Sequence, residues 1–375
     1  MSNDLKSIPL SRRRFLGAGA ALIAAPAIIG RASVASAEKS FAGEELIVMS
    51  WSGNYETVFK ETVIDPFNAQ YGTAVESTGG WDQMVPQILA APADTPPFDI
   101  TIGEEYVSIQ GIAQGLFLKN EVAALPNLGA VYPYFDETRP GAEGFGVPFA
   151  IGTCMLLMRK SLDIAPDSWN LLWDERLAGK VTVDGSAWHW PLSLTALTKG
   201  ASHKIDEMYS LASAEPLFAE IDKLRPARWY MTGAEQATVL NQGEADAAQT
   251  YSSDAFGFLQ DSPDEYVAAV PKEGTSGWTD RFFKVRGTRH NNLANLFSNY
   301  LLEKETQERF LAKSMVFMSR KDVTAPDHSK DYPRTNEDVH GRFQLITMKG
   351  WEKITADYAT FDSRMKLSIS RSADQ

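Results

Sequence analysis

The sequence predicts an α/β protein with mostly parallel sheets, divided into two lobes. Three observations carry this. Apolar runs of strand length alternate with helix-period stretches along both halves of the chain, the grammar of parallel strands joined by helices. The 375 residues are more than a single lobe comfortably organises. Cys154 is the only cysteine, so no internal disulfide is possible and large apolar cores must hold the fold.

The N-terminus comes first. Ser11-Arg12-Arg13-Arg14-Phe15-Leu16 precedes an apolar run, Gly17–Gly30, and then Ala35-Ser36-Ala37. Twin arginines, a short apolar core and a small-residue site read as a twin-arginine signal peptide over 1–37, cut after Ala37, which places the mature chain in the periplasm. The apolar run is too short to span a bilayer. The whole chain carries a net charge of −12. The leader holds five bases (Lys6, Arg12, Arg13, Arg14, Arg31) and one acid (Asp4), so the mature balance is −16. Such a surface argues against nucleic acid and suits cationic ligands.

Leu46–Ser50 reads as a first buried strand, followed by Trp51-Ser52-Gly53-Asn54 and a helix from Tyr55 that Pro66 kinks and Gly72 closes. Ala74–Ser77 is a second strand, Trp81–Ala90 a helix and Phe98–Ile102 a third strand. Glu104-Glu105-Tyr106 opens a helix that Gly115 stops. Phe145–Phe149 and Thr153–Arg159 read as two separate strands. The second α/β series comprises strands Val181–Asp184, Arg228–Tyr230, Ala245–Tyr251 and Tyr266–Val270. Its helices are Leu192–Thr198, Ala214–Leu224, Glu235–Asn241 and a short one from Asp254. Helices over Leu293–Leu302 and Thr306–Lys313 follow, and Leu345–Tyr358 is the last one expected. Ligands of parallel sheets meet the loops beyond the strands' carboxyl ends, where Trp51, Ser52, Glu104, Glu105 and Tyr106 fall.

No enzyme signature emerges. The five histidines lack metal-ligand spacing, and there is neither a nucleophile elbow nor a phosphate loop, so no catalytic residue, metal or cofactor is expected. Cys154 lies in an apolar run and reads as core. Trp169 and Trp173, four residues apart, also read as core. Within Val270–Val285, by contrast, Trp278 and Asp280 share one face of an extended segment. An indole beside a carboxylate suits a small organic cation.

Four blocks in order resemble the periplasmic ligand-binding proteins of ABC importers, especially the spermidine/putrescine receptors. They are Ser50-Trp51-Ser52; Phe98-Asp99-Ile100-Thr101 with Tyr106 and Gly115-Leu116; Ser168-Trp169 with Leu172-Trp173 and Gly179-Lys180-Val181; and Val270-Pro271-Lys272-Glu273-Gly274 with Trp278 and Asp280. The resemblance runs from about Leu46 to about Lys321. It implies the type II periplasmic binding protein fold: two α/β lobes, each a mostly parallel sheet flanked by helices, with hinge crossovers. Lobe 1 would take 44–149 and 278–315, and lobe 2 would take 150–277 and 316–375.

The resemblance also implies a monomer that captures a small amine-containing, polyamine-like ligand as the lobes close and hands it to a membrane permease. Trp51, Ser52, Tyr106, Tyr251, Trp278 and Asp280 match family ligand positions. Asp184 stands at a second-lobe strand end, and Glu104 and Trp188 are further candidates. Departures are Gly53, where many polyamine receptors carry an acid, and Trp188-His189-Trp190, which has no usual counterpart. An alternative is a zwitterion such as an ω-amino acid or opine-like compound, its carboxylate held by Arg281, Arg228 or Arg225. A third is an exported enzyme.

Overall fold

The computed structural model describes residues 41–81, 83–324, 326 and 343–373. The expected leader lies outside the described residues. Among the described residues, ten strands form one curled mixed sheet: β1 (Glu45–Trp51), β2 (Ala74–Gly80), β3 (Ile100–Gly103), β4 (Val147–Arg159), β5 (Val181–Asp184), β6 (Arg228–Tyr230), β7 (Ala247–Tyr251), β8 (Tyr266–Ala269), β9 (Gly277–Lys284) and β10 (Phe317–Met318). The main path runs β2-β1-β3-β9-β4-β7-β5-β6, with β8 and β10 paired to β4.

The two ends of this path are the parallel sets that the strand–helix alternation predicts. β1 pairs parallel with β2 and β3, and β5 pairs parallel with β6 and β7. Antiparallel pairing joins the two sets through the crossovers: β9 lies antiparallel to both β3 and β4, and β4 to β7, β8 and β10.

β4 is the long connector. It is one strand of 13 residues, twelve of them buried, not the two runs expected from sequence. Ala150, Ile151 and Gly152 looked like a break because small residues interrupt the apolar pattern. They pair with Asp280, Thr279 and Trp278 of β9, past a register shift between Pro148 and Ala150. The N-terminal half of β4 packs in a first apolar core with Phe59, Phe282 and Phe297; the C-terminal half packs in a second with Trp169, Leu192 and Phe218. Cys154 is buried in β4. Phe317 and Met318, expected in the share of the second lobe, pair with Ile151 and Ala150 and sit in the first core.

The first helix shows how local chemistry sets shape. Asn54–Phe59 passes through a π-turn, Lys60–Ile64, into Asp65–Tyr71. Pro66 cannot donate to Thr62 O, and Arg309 Nε donates to that carbonyl instead at 3.1 Å. Gly72 ends the helix with φ of 68°.

The tail departs furthest from expectation. Met348–Ala356 is followed by a second helix, Tyr358–Ala373, which its polar composition concealed. Trp351, Ile354, Phe361 and Met365 bury in the second core, and Arg364 bridges Glu215 and Asp222 at 2.9 and 3.1 Å. Among the described residues, no helix is long and apolar enough to cross a membrane.

Candidate functional site

A cavity of about 60 Å³ opens between the two strand sets, lined by Trp51, Ser52, Tyr55, Trp81, Glu104, Ala187, His189, Trp190, Tyr251, Ser253, Asp254 and Trp278. Nearly every one stands at or just beyond a strand's carboxyl end, where side chains from many loops converge. Trp51 closes β1, Trp81 follows β2, Glu104 follows β3, the His189–Lys199 helix follows β5, and Tyr251 closes β7. Trp278 comes instead from the crossover strand β9.

Aromatic rings make the walls. Trp278 lies 5.2 Å from Trp190 and 5.2 Å, edge on, from Tyr251; Trp81 lies 5.8 Å from Tyr251. Gly152 makes room for this arrangement. A Cβ there would sit 2.2 Å from Trp278 Cζ2 on the neighbouring strand. Gly152→Ala is therefore expected to cost about 1–3 kcal/mol and to swing the indole away. Urea denaturation with tryptophan fluorescence tests this; an unchanged midpoint and spectrum would refute it.

The acids divide by role. Glu104 accepts from Tyr106 N at 2.8 Å, capping the Glu105–Ala113 helix, while also lining the cavity. Glu105 points elsewhere: it accepts from Thr279 Oγ1 at 2.6 Å and Thr279 N at 3.1 Å, tying the helix to β9. Asp280, fully buried, accepts at one oxygen from both Trp51 Nε1, at 2.7 Å, and Trp278 Nε1, at 2.8 Å. Burial pushes its carboxyl up to about 7 and the nearby Glu105 charge adds to this, while the indole bonds and Tyr55 pull against it. Glu105 is likewise pushed up to about 7 by burial, opposed by the Thr279 bonds. Asp254, at the cavity mouth, is raised to about 6 by burial.

Of the residues expected from sequence, Trp51, Ser52, Glu104, Tyr251 and Trp278 meet in this cavity. Asp280 lies behind Trp51 and Trp278, at their N–H edges. Asp184 is also set back: it accepts from Tyr251 Oη and from Ser186 N, holding the ring and the following loop. Tyr106 and Trp188 are not among the lining residues. Tyr106 stacks on Tyr358 with centroids 4.4 Å apart, and Trp188 on Phe361 at 4.6 Å. Both face the C-terminal helices because those helices cover the apolar surface around them. The candidate carboxylate anchors are elsewhere too. Arg281 is buried against Phe135 O and Gly146 O, Arg228 pairs with Glu244, and Arg225 with Glu175.

Sequence reasoning missed Tyr55, Trp81 and Asp254 as wall residues. Trp81 follows β2 as Trp51 ends β1, so the strand-end rule that selected one should have selected both. Asp254 comes three residues after Tyr251, on the first turn of the Ser252–Asp261 helix. Its Oδ1 sits 3.4 Å from where a Cβ on Gly53 would be, so the other strand set places a carboxylate beside the position where the acid was missing. Trp190 enters the wall because its helix begins at His189, three residues earlier than expected. His189 is buried beside it, and burial lowers its pKa to about 3, leaving it neutral. A roomier cavity of about 360 Å³, with Glu105, Lys204, Tyr209 and 343–348 in its lining, contains none of the strand-end aromatics.

Comparison with known proteins agrees with this architecture. The family model described as bacterial extracellular solute-binding protein matches residues 62–337. No curated protein sequence matches the chain. Among solved structures, an ABC transporter substrate-binding protein from Bradyrhizobium japonicum is 16% identical, with a TM-score of 0.72 over 87% of this chain and 100% of that one. The binding protein AgtB from A. tumefaciens, in complex with agropinic acid, is 15% identical, with a TM-score of 0.70 over 87% and 99%. The spermidine/putrescine substrate-binding protein PotD from Streptococcus pneumoniae is 16% identical, with a TM-score of 0.65 over 86% and 100%. At these identities the likeness is one of fold. The strand-end cavity, the double α/β architecture and a family model spanning most of the sequence lead to one assignment: the chain belongs to the bacterial extracellular solute-binding protein family, whose members are binding proteins and not enzymes.

Proposed function

We propose that this protein is the extracytoplasmic receptor of an ABC importer, that it captures a small polyamine-like cation between its lobes, and that it delivers the cation to a membrane permease. Export by the twin-arginine route and action as a monomer belong to the same reading. The observation that carries the ligand class is the composition of the cavity wall. Six tryptophan and tyrosine rings (Trp51, Tyr55, Trp81, Trp190, Tyr251, Trp278) and two acids (Glu104, Asp254) line it, and among the described residues no Lys or Arg does.

Ring faces attract an ammonium group by about 0.5–2 kcal/mol each, and the carboxylates complete the charge pairing. Asp254 also borders an outer cleft of about 310 Å³ that includes Asp261, which provides room and charge for a second amine of a linear ligand. At about 60 Å³ the inner cavity is well below the roughly 300–1,000 Å³ of ordinary ligand sites, so entry requires the walls to part, as lobe hinging permits. The net negative charge steers cations towards the cleft.

A thermal-shift and calorimetric panel on the mature chain tests this, with putrescine, spermidine, choline, 4-aminobutyrate and an opine. A cation at about one hundred times its dissociation constant is expected to add roughly 2.7 kcal/mol of stability. Stabilisation by 4-aminobutyrate or the opine, with none from any of the cations, would replace the polyamine reading with the zwitterion one.

A further inference from the structure

We infer that Asp280 is a positioning residue that brackets the two indoles of the cavity wall and does not itself pair with the ligand's charge. This rests on the cation-receptor reading above and assigns that site a different division of labour. One oxygen of Asp280 accepts both indole N–H groups, at 2.7 Å from Trp51 and 2.8 Å from Trp278. Both lie at the short end of the ordinary N–H···O range. The two donors come from separate elements, the end of β1 and the crossover β9, so one carboxylate fixes the relative angle of two walls.

The side chain is fully buried, and it is absent from the lining of a cavity that includes both of its tryptophan partners. The rings therefore present their bodies to the cavity and their N–H edges to the acid. Its second oxygen has the hydroxyl of Tyr55, buried with it, as its polar neighbour, and neither atom has another hydrogen-bond partner among the described residues. Tyr55 itself lines the cavity, so a ligand nitrogen approaching that oxygen meets the Tyr55 hydroxyl beside it. Asp254 and Glu104, which do line the cavity, have the better placement for ion pairing. An indole donating to a carboxylate also gains electron density on its face, which strengthens its attraction for a cation.

The discriminating variants are Asp280→Asn and Asp280→Ala, in the mature protein, with putrescine and choline as titrants. An asparagine carbonyl still accepts both indole N–H groups, and its amide can donate to Tyr55 Oη; alanine accepts nothing. The bracket predicts that Asp280→Asn binds within about tenfold of the parent and that Asp280→Ala loses at least about a further tenfold. Direct ion pairing predicts that both fall together, by at least about thirtyfold, and that result overturns the assignment.

Should the alanine variant not fold, the indole N–H resonances of ¹⁵N-tryptophan-labelled protein decide. Bracketed signals from Trp51 and Trp278 stay hydrogen-bonded in Asp280→Asn and on adding the cation. Movement of both towards free-indole values when the cation binds the parent overturns the bracket. If the parent binds neither putrescine nor choline, the cation reading itself fails and takes this assignment with it.

Discussion

Trp278→Ala is expected to weaken cation binding by roughly 30- to 1,000-fold, the range of a buried tryptophan at the centre of an interface. The indole is the hub of the cavity: it touches Trp190 and Tyr251, both at 5.2 Å, lies over Gly152 and donates to Asp280. Alanine would remove a ring face, loosen two others and admit water around the ligand's charge. Isothermal titration with putrescine and choline measures the loss. Trp173→Phe provides the contrast. That ring lies in the 3₁₀ turn Trp169–Trp173, donates to Glu220 O at 2.9 Å and lies outside the cavity lining. Its substitution is expected to lower stability slightly and to leave affinity unchanged. A Trp278→Ala protein that binds within threefold of the parent would remove the aromatic walls from the proposal.

Stability should fall as pH rises from about 4.5 to 7.5, and Asp280→Asn should remove a large part of that fall. A carboxyl whose folded pKa lies above its unfolded value holds its proton more tightly in the folded chain. Its contribution is complete below the unfolded value and is lost as pH climbs to the folded one. Asp280, raised from 3.8 to about 7, and Glu105, raised from 4.5 to about 7, both act over this window. Each full pKa unit is worth about 1.4 kcal/mol, so the Asp280 share is on the order of 2–4 kcal/mol. His189 opposes them: lowered from 6.5 to about 3, it adds stability as pH rises through that interval. Comparing the two proteins cancels the histidine. Urea unfolding at several pH values should show the advantage of the parent over Asp280→Asn shrinking towards pH 7.5. Parallel curves would mean that Asp280 titrates normally.

Much of the fold was legible in the sequence. Strand-length runs marked β1, β3, β5, β6 and β8 to within two residues at each end; β3 and β5 are buried along their whole length, whereas β1 alternates at its start as a half-covered strand does. Gly72 and Gly115 end helices where expected, each with positive φ, because the left-handed cap needs no side chain. The reading failed where partners are distant in sequence. β4 was cut in two because Gly152 looks like a break until Trp278 is laid across it. The last helix was missed because Arg364 finds Glu215 and Asp222 about 140 residues upstream, and composition alone gives no sign of that pairing.

The sequence by itself determined that strands end in aromatics and acids, that a tryptophan and a carboxylate share one face of a crossover strand, and that no catalytic motif competes with binding. Those are local facts of residue type and spacing. Only the tertiary structure decided which groups meet. It turned Tyr106 and Trp188 towards the C-terminal helices and brought Trp81, Trp190 and Asp254 into the cavity. It also set Asp280 behind the rings it was expected to stand beside. The physical reason is that a side chain's role depends on what occupies the space its Cβ points into, and those occupants come from elements tens to hundreds of residues away.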